Sequence, residues 1–205
     1  MLVCGPTGSG KTQFVLRLIT EQMFEPVPER IMWIYGEWQP LYDILKIKIP
    51  DIEFKNGIPA DLYDSITADT RNLVILDDQM SEAGDKKELS QLFTQGSHHR
   101  NLSVIYIVQN LFDQGRSMRT VSLNTQDLVI FKNPRDKKQI TTLASQMYPK
   151  NGSFLTDAYL DATTEPFGYL VIDLKQDTPE EFRVRSKIFL GESTVVYQPT
   201  GYKRK

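Results

Sequence analysis

The stretch LVCGPTGSGKTQFVLRLI, residues 2–19, decides the fold. An apolar triplet, Leu2-Val3-Cys4, runs straight into Gly5-Pro6-Thr7-Gly8-Ser9-Gly10-Lys11-Thr12, which meets the pattern G-x-x-x-x-G-K-[ST] in full. From Thr12 onward Phe14, Val15, Leu18, Ile19 and Met23 recur at helical spacing, and Pro26 and Pro28 are expected to end that helix. A strand, a glycine loop and a helix in this order are the context in which the pattern binds phosphate. Glycines let the backbone turn tightly, so that successive amide N–H groups point at one phosphate. The helix adds its positive N-terminal end. Lys11 can reach the β- and γ-phosphates, and the Thr12 hydroxyl can ligate Mg²⁺. The segment thus predicts a site for ATP and Mg²⁺, with hydrolysis of the ATP.

Working outward, four further apolar runs read as strands: Ile31 to Tyr35, Leu73 to Leu76, Val104 to Val108 and Leu128 to Phe131. Continuous β-rich runs of this kind belong to parallel strands covered on both faces. Between them, helices are expected from Pro40 (Leu41, Ile44, Leu45), around Lys87 to Gln95 (Leu89, Leu92, Phe93), and over Ile140, Leu143, Ala144 and Met147. Ile52-Glu53-Phe54 reads as an edge strand. Tyr169 to Ile172 and Phe182 to Phe189 read as a terminal antiparallel pair. The expected architecture is α/β, a mostly parallel sheet flanked by helices. We expect a single domain over 1–198 and a basic, disordered tail over 199–205.

In such sheets ligands sit at the carboxyl ends of the strands, and three of these strands end in polar chemistry there. The first ends in the glycine loop. The second ends in Asp77-Asp78, where one acid can hold the metal and the other can orient or deprotonate the attacking water. Glu37, just past another strand, is a rival for the base. The third ends in Gln109, whose amide can bond both the γ-phosphate and the attacking water. Cys4 reads as a small buried strand residue rather than a nucleophile.

Composition narrows the class. With 205 residues the chain has room for one sizeable α/β core. One cysteine excludes an internal disulfide framework and suits a reducing compartment, and with only two histidines, the adjacent His98 and His99, no zinc site is expected. No apolar run approaches a membrane span, so no membrane partner is expected. A formal charge of −2 means that any DNA contact must come from local clusters: His98-His99-Arg100, Arg116 with Arg119, Lys132 to Lys138, and Lys203-Arg204-Lys205. Taken singly, each also reads as a solvated face.

GPTGSGKT, LVILDDQM, LFTQGSHHRNLS running into VIYIVQN, and VIFKNPRD occur in this order. The combination resembles the FtsK–HerA superfamily, and within it the genome-packaging ATPases of double-stranded DNA viruses and of Polinton (Maverick) transposons, relatives of the poxvirus packaging ATPase. The resemblance spans roughly residues 1 to 190. It implies a RecA-like core, a homo-oligomeric ring, and ATP-driven pumping of double-stranded DNA into a capsid. Capsid or portal proteins become partners, and the place of action becomes the site of virion assembly inside the host cell. It assigns Lys11 and Thr12 to phosphate and metal, Asp77 to the metal, Asp78 to the base and Gln109 to the sensor. Asp78 departs from the FtsK pattern, which has Glu there. Such rings complete each site with an arginine from the neighbouring subunit; Arg100 is the first candidate, with Arg116 and Arg119 as rivals. Three alternatives remain: a cellular FtsK/HerA-type DNA pump or helicase, another P-loop enzyme such as a nucleoside kinase or GTPase, and a non-catalytic nucleotide-binding assembly factor. The absence of an N-K-x-D motif speaks against a GTPase.

Overall fold

The structure, a computed structural model, describes residues 1–77, 92–93, 101–112 and 116–199, with 116–119 in backbone only. The described strands are β1 (Leu2–Cys4), β2 (Arg30–Tyr35), β3 (Glu53–Asn56), β4 (Asn72–Asp77), β5 (Leu102–Val108), β6 (Asp127–Phe131), β7 (Tyr169–Asp173), β8 (Val184–Ser186) and β9 (Val195–Tyr197). They form one sheet in the order β3-β2-β4-β5-β1-β6-β7-β8-β9. The strands from β3 to β6 pair in parallel. The expected C-terminal antiparallel pair is β7 with β8, and β9 extends it by one more antiparallel strand. The edge strand at Phe54 is β3, as expected from its mixed composition.

Helices cover both faces because the parallel strands are apolar on both. The described helices are α1 (Lys11–Thr20), α2 (Pro40–Lys48), α3 (Leu62–Ser65), α4 (Arg116–Asn124), α5 (Lys138–Met147) and α6 (Gly152–Ala162). Period-two alternation sorts the strand residues into two cores. Leu2, Cys4, Ile34, Leu76, Tyr106 and Ile130 pack with Ile140 and Leu143 of α5 and Leu155 and Tyr159 of α6. Val3, Trp33, Ile75, Ile107 and Val129 pack with Phe14, Val15 and Leu18 of α1 and Tyr42 and Leu45 of α2. Burying each large apolar side chain contributes roughly 1.5–3 kcal/mol, so α1, with five buried residues, is held mainly by its inner face. No described helix is long and apolar enough to cross a membrane.

Two local details differ from the expectation. Helix α1 stops at Thr20, before Met23 and well before Pro26. Gln22 takes a left-handed φ of 52°, its N–H reaches the Ile19 carbonyl at 3.1 Å, and the Met23 N–H reaches Leu18 at 2.9 Å. This is a Schellman cap, which closes the last turn without needing a proline. On α2 the inward face carries Tyr42 and Leu45, while Ile44 is exposed. Of the helix expected around Lys87 to Gln95, only Leu92 and Phe93 are described, and both are buried in the core with α5 and α6. Residues 200–205 of the expected tail lie outside the described residues.

Cys4 is buried beneath the glycine loop, with its Sγ 3.7 Å from Gln139 Oε1. Burial pushes its thiol up to about 12; nearby Lys11 opposes the shift and Asp136 adds to it. The neutral thiol is unreactive, because the thiolate is the nucleophile. At pH 8 an alkylating reagent should therefore leave native protein unlabelled and react promptly once denaturant is added. Rapid labelling of the folded chain would contradict the placement of β1.

Candidate functional site

Strand order brings the polar strand ends together. β5 lies between β1 and β4, so the carboxyl ends of these three parallel strands lie side by side at one end of the sheet. The Gly5 N–H donates to the Val108 carbonyl at 3.2 Å, which ties the start of the glycine loop to the end of β5. Gly8 and Gly10 have φ of 77° and 102°, left-handed values that side chains disfavour. Gly5 is required for a different reason: a Cβ there would stand 2.7 Å from Phe131 Cβ and 2.8 Å from Ser9 Oγ.

Lys11, the first residue of α1, donates from Nζ to the Pro6 carbonyl at 2.9 Å, so its ammonium lies over the loop. Thr12 Oγ1 donates to Asp77 Oδ2 at 3.3 Å across the gap from α1 to β4. Asp77 is only 3 % exposed, and burial of a carboxylate is tolerable only with hydrogen-bond donors. The Tyr42 hydroxyl supplies a second one, to the same oxygen, at 2.8 Å. Tyr42 is held in an aromatic cluster, with its ring centroid 5.5 Å from those of Trp33 and Phe54 and 5.3 Å from that of Trp38. A cavity of about 110 Å³ is lined by Thr7, Gly8, Lys11, Thr12, Gln39, Asp77 and Gln109, together with Ile107 and Val108. A larger cavity, about 860 Å³, opens among Met1, Leu102, Asp127 and Lys175 at the far ends of β1, β5 and β6, away from the glycine loop.

The structure thus brings together five of the expected site elements: the loop, Lys11, Thr12, Asp77 and Gln109. Glu37, the rival base, is exposed after β2 and does not line the cavity. Asp78 and Arg100 lie outside the described residues, as do His98 and His99, and Arg116 and Arg119 are described only in backbone, on α4. Sequence reasoning missed Tyr42 and Gln39. A Pro40-started helix following a strand end does place its first turn near the ligand side, but nothing in the sequence says which of its residues faces Asp77.

The chemistry of these groups is that of a phosphate-binding cradle. Thr12 and Asp77 offer hard oxygen donors 3.3 Å apart, and Mg²⁺ is commonly held by one or two protein oxygens plus substrate phosphates. The residues present therefore fit Mg²⁺. The crowding at Gly5 makes a structural prediction. Gly5→Ala should cost about 1–3 kcal/mol by overpacking, seen as an unfolding temperature several degrees lower in a thermal melt. An unchanged melt would mean that the loop does not pack against Phe131.

No protein-family model matches the chain, and no curated protein sequence matches it. Among solved structures it is similar to B204, the DNA-packaging ATPase from Sulfolobus turreted icosahedral virus, with a TM-score of 0.60 and 9 % identity over 97 % of this chain and 96 % of that one. It is similar also to the genome packaging NTPase B204 from Sulfolobus turreted icosahedral virus 2 in complex with ATPγS, with a TM-score of 0.57 and 11 % identity, covering 97 % and 95 % of the two chains. EssC (ATPases 2 and 3) from Geobacillus thermodenitrificans matches 69 % of this chain and 33 % of its own, at 12 % identity and a TM-score of 0.51. At these identities the likeness is one of fold, and the chain has an α/β P-loop NTPase fold that it shares with viral packaging ATPases.

Proposed function

We propose that the chain is an ATP-hydrolysing motor that moves double-stranded DNA into a capsid, working as a homo-oligomeric ring. The observation that carries the nucleotide reading is the meeting of Lys11, Thr12, Asp77 and Gln109 around one cavity at the mouth of the glycine loop. In this reading the loop amides and Lys11 hold the β- and γ-phosphates. Thr12 and Asp77 hold Mg²⁺, which when bound neutralises charge on the phosphates. Gln109 orients the attacking water, and Asp78, next along the chain from Asp77, takes its proton. Tyr42 keeps the Asp77 carboxylate aimed at Thr12. The ring supplies an arginine from the neighbouring subunit, with Arg100 as first candidate.

Support for the DNA-packaging part is the fold shared with B204 over nearly the whole of both chains, together with the motif order read from the sequence. In the packaging reading the protein acts at the site of virion assembly, with capsid or portal proteins as partners. A cellular FtsK/HerA-type DNA pump or helicase is the second reading, favoured by the same motif order in the sequence.

Lys11→Ala should abolish hydrolysis and weaken nucleotide binding. Asp78→Asn should still bind ATP while turnover falls by on the order of 10²-fold or more. Near-normal turnover of Lys11→Ala would end the assignment; loss in Glu37→Gln with activity retained in Asp78→Asn would exchange the two acids.

ATPase rate measured with and without duplex DNA, beside the oligomeric mass, tests the motor reading. Duplex DNA should stimulate an assembled ring, in a salt-sensitive way. Mixing Arg100→Ala with Lys11→Ala subunits should restore activity, since one interface then joins an intact cradle to an intact arginine. A fully active monomer indifferent to DNA would overturn the ring and the motor together.

A further inference from the structure

Phe167 holds a mostly exposed aromatic ring in a left-handed backbone corner. It is the third residue of the turn Glu165-Pro166-Phe167-Gly168, closed by the Gly168 N–H donating to the Glu165 carbonyl at 3.1 Å. Pro166 sets the second position near −65°, and Phe167 has a φ of 62°. A turn of this kind calls for glycine or asparagine at its third position, and a bulky side chain there is strained. The corner is pinned from its other side: a Cβ on Gly168 would fall 2.5 Å from the Ala162 carbonyl oxygen at the end of α6. Burial does not offset the strain, since 67 % of Phe167 is exposed.

The covered part of the ring lies against the phosphate loop. A Cβ on Gly10 would be 3.3 Å from Phe167 Cδ1 and 3.5 Å from Phe131 Cε1. Strand order then gives the ring a direction. Asp77 ends β4 and Gln109 follows β5, on one side of β1, whereas Phe131 ends β6 and Phe167 precedes β7, on the other side. A triphosphate whose γ end meets Lys11, Thr12, Asp77 and Gln109 must leave the loop toward the opposite side. Its ribose and base therefore emerge on the side where Phe167 stands.

We propose that Phe167 is the stacking wall for the base of the bound purine nucleoside triphosphate, an inference that rests on the nucleotide reading above. A planar ring offered face-on to a purine contributes affinity through its π surface and reads no hydrogen-bonding edge. ATP and GTP should accordingly gain alike, and inorganic tripolyphosphate, which has no base, should gain nothing.

The experiment measures binding of ATP, GTP and tripolyphosphate, each with Mg²⁺, to the full chain and to Phe167→Gly and Phe167→Tyr. Glycine suits the left-handed corner, so Phe167→Gly should unfold at a temperature no lower than the wild type. Its Kd for ATP and for GTP should rise roughly five- to a hundredfold, with tripolyphosphate unchanged, and Phe167→Tyr should bind all three as the wild type does. Wild-type ATP affinity in Phe167→Gly overturns the proposal. So does an equal loss for ATP and tripolyphosphate, which would make the ring a prop for the loop. A wild-type chain that binds neither ATP nor tripolyphosphate overturns the nucleotide reading itself, and this inference with it.

Discussion

The parallel pairing of β5 between β1 and β4 is the constraint from which the site follows. Val3 pairs with Ile107, and Ile107 pairs in turn with Asp77. Asp77 is thereby fixed two strands from β1, about 10 Å across the sheet, and level with the residue two before Gly5. The glycine loop and the first turn of α1 span that distance and set the Thr12 hydroxyl against the carboxylate. A slip of one residue in either pairing would turn Asp77 to the other face of the sheet. The apolar cores on both faces hold the register, because every such slip would exchange the residues that face α1 and α2 for those that face α5 and α6.

The C-terminal strands serve the site by holding α1. Phe14 meets Tyr169 at 4.8 Å and Phe189 at 5.0 Å, both edge-on, and Phe131 at 5.8 Å. Arg17 lies over the Phe189 ring at 3.9 Å and pairs with Glu192 at 2.8 Å, while Glu192 also accepts from the Tyr169 hydroxyl. Aromatic pairs contribute about 0.5–1.5 kcal/mol each beyond their buried area. The Arg17–Glu192 pair is about a third exposed and is worth less than about 1 kcal/mol. Packing therefore dominates the attachment of α1, and the ion pair adds a smaller contribution.

Much of this was legible beforehand because it is local. The glycine loop carries its own geometry in its residue types, and four strands announced themselves as unbroken apolar runs. Asp77 was legible as the polar residue ending such a run. Less regular segments were not. Helix α6, 152–162, begins with Gly-Ser and has Thr156 and Asp157 in its interior, so the short inward face of Leu155, Ala158 and Tyr159 is set among residues of low helix propensity. The three-residue strand β9 is recognisable only by its pairing with β8. Pro26 and Pro28 do not mark the end of α1, because the left-handed turn at Gln22 closes the helix earlier.

By itself, then, the sequence determined the kind of sheet, the phosphate loop and the polar residues at the strand ends, since each depends on contacts within a dozen residues. Only the tertiary structure decided which of those ends meet. Three-dimensional strand order made Gln109 and Asp77 neighbours of the loop and left Glu37 outside. Tyr42 became a donor to Asp77 because α2 packs with that face toward Trp33 and Phe54, a choice its own mixed periodicity does not make. Phe167 came to Gly10 from 157 positions along the chain. Contacts of that range are set by how whole elements pack, and no short window of residues encodes them.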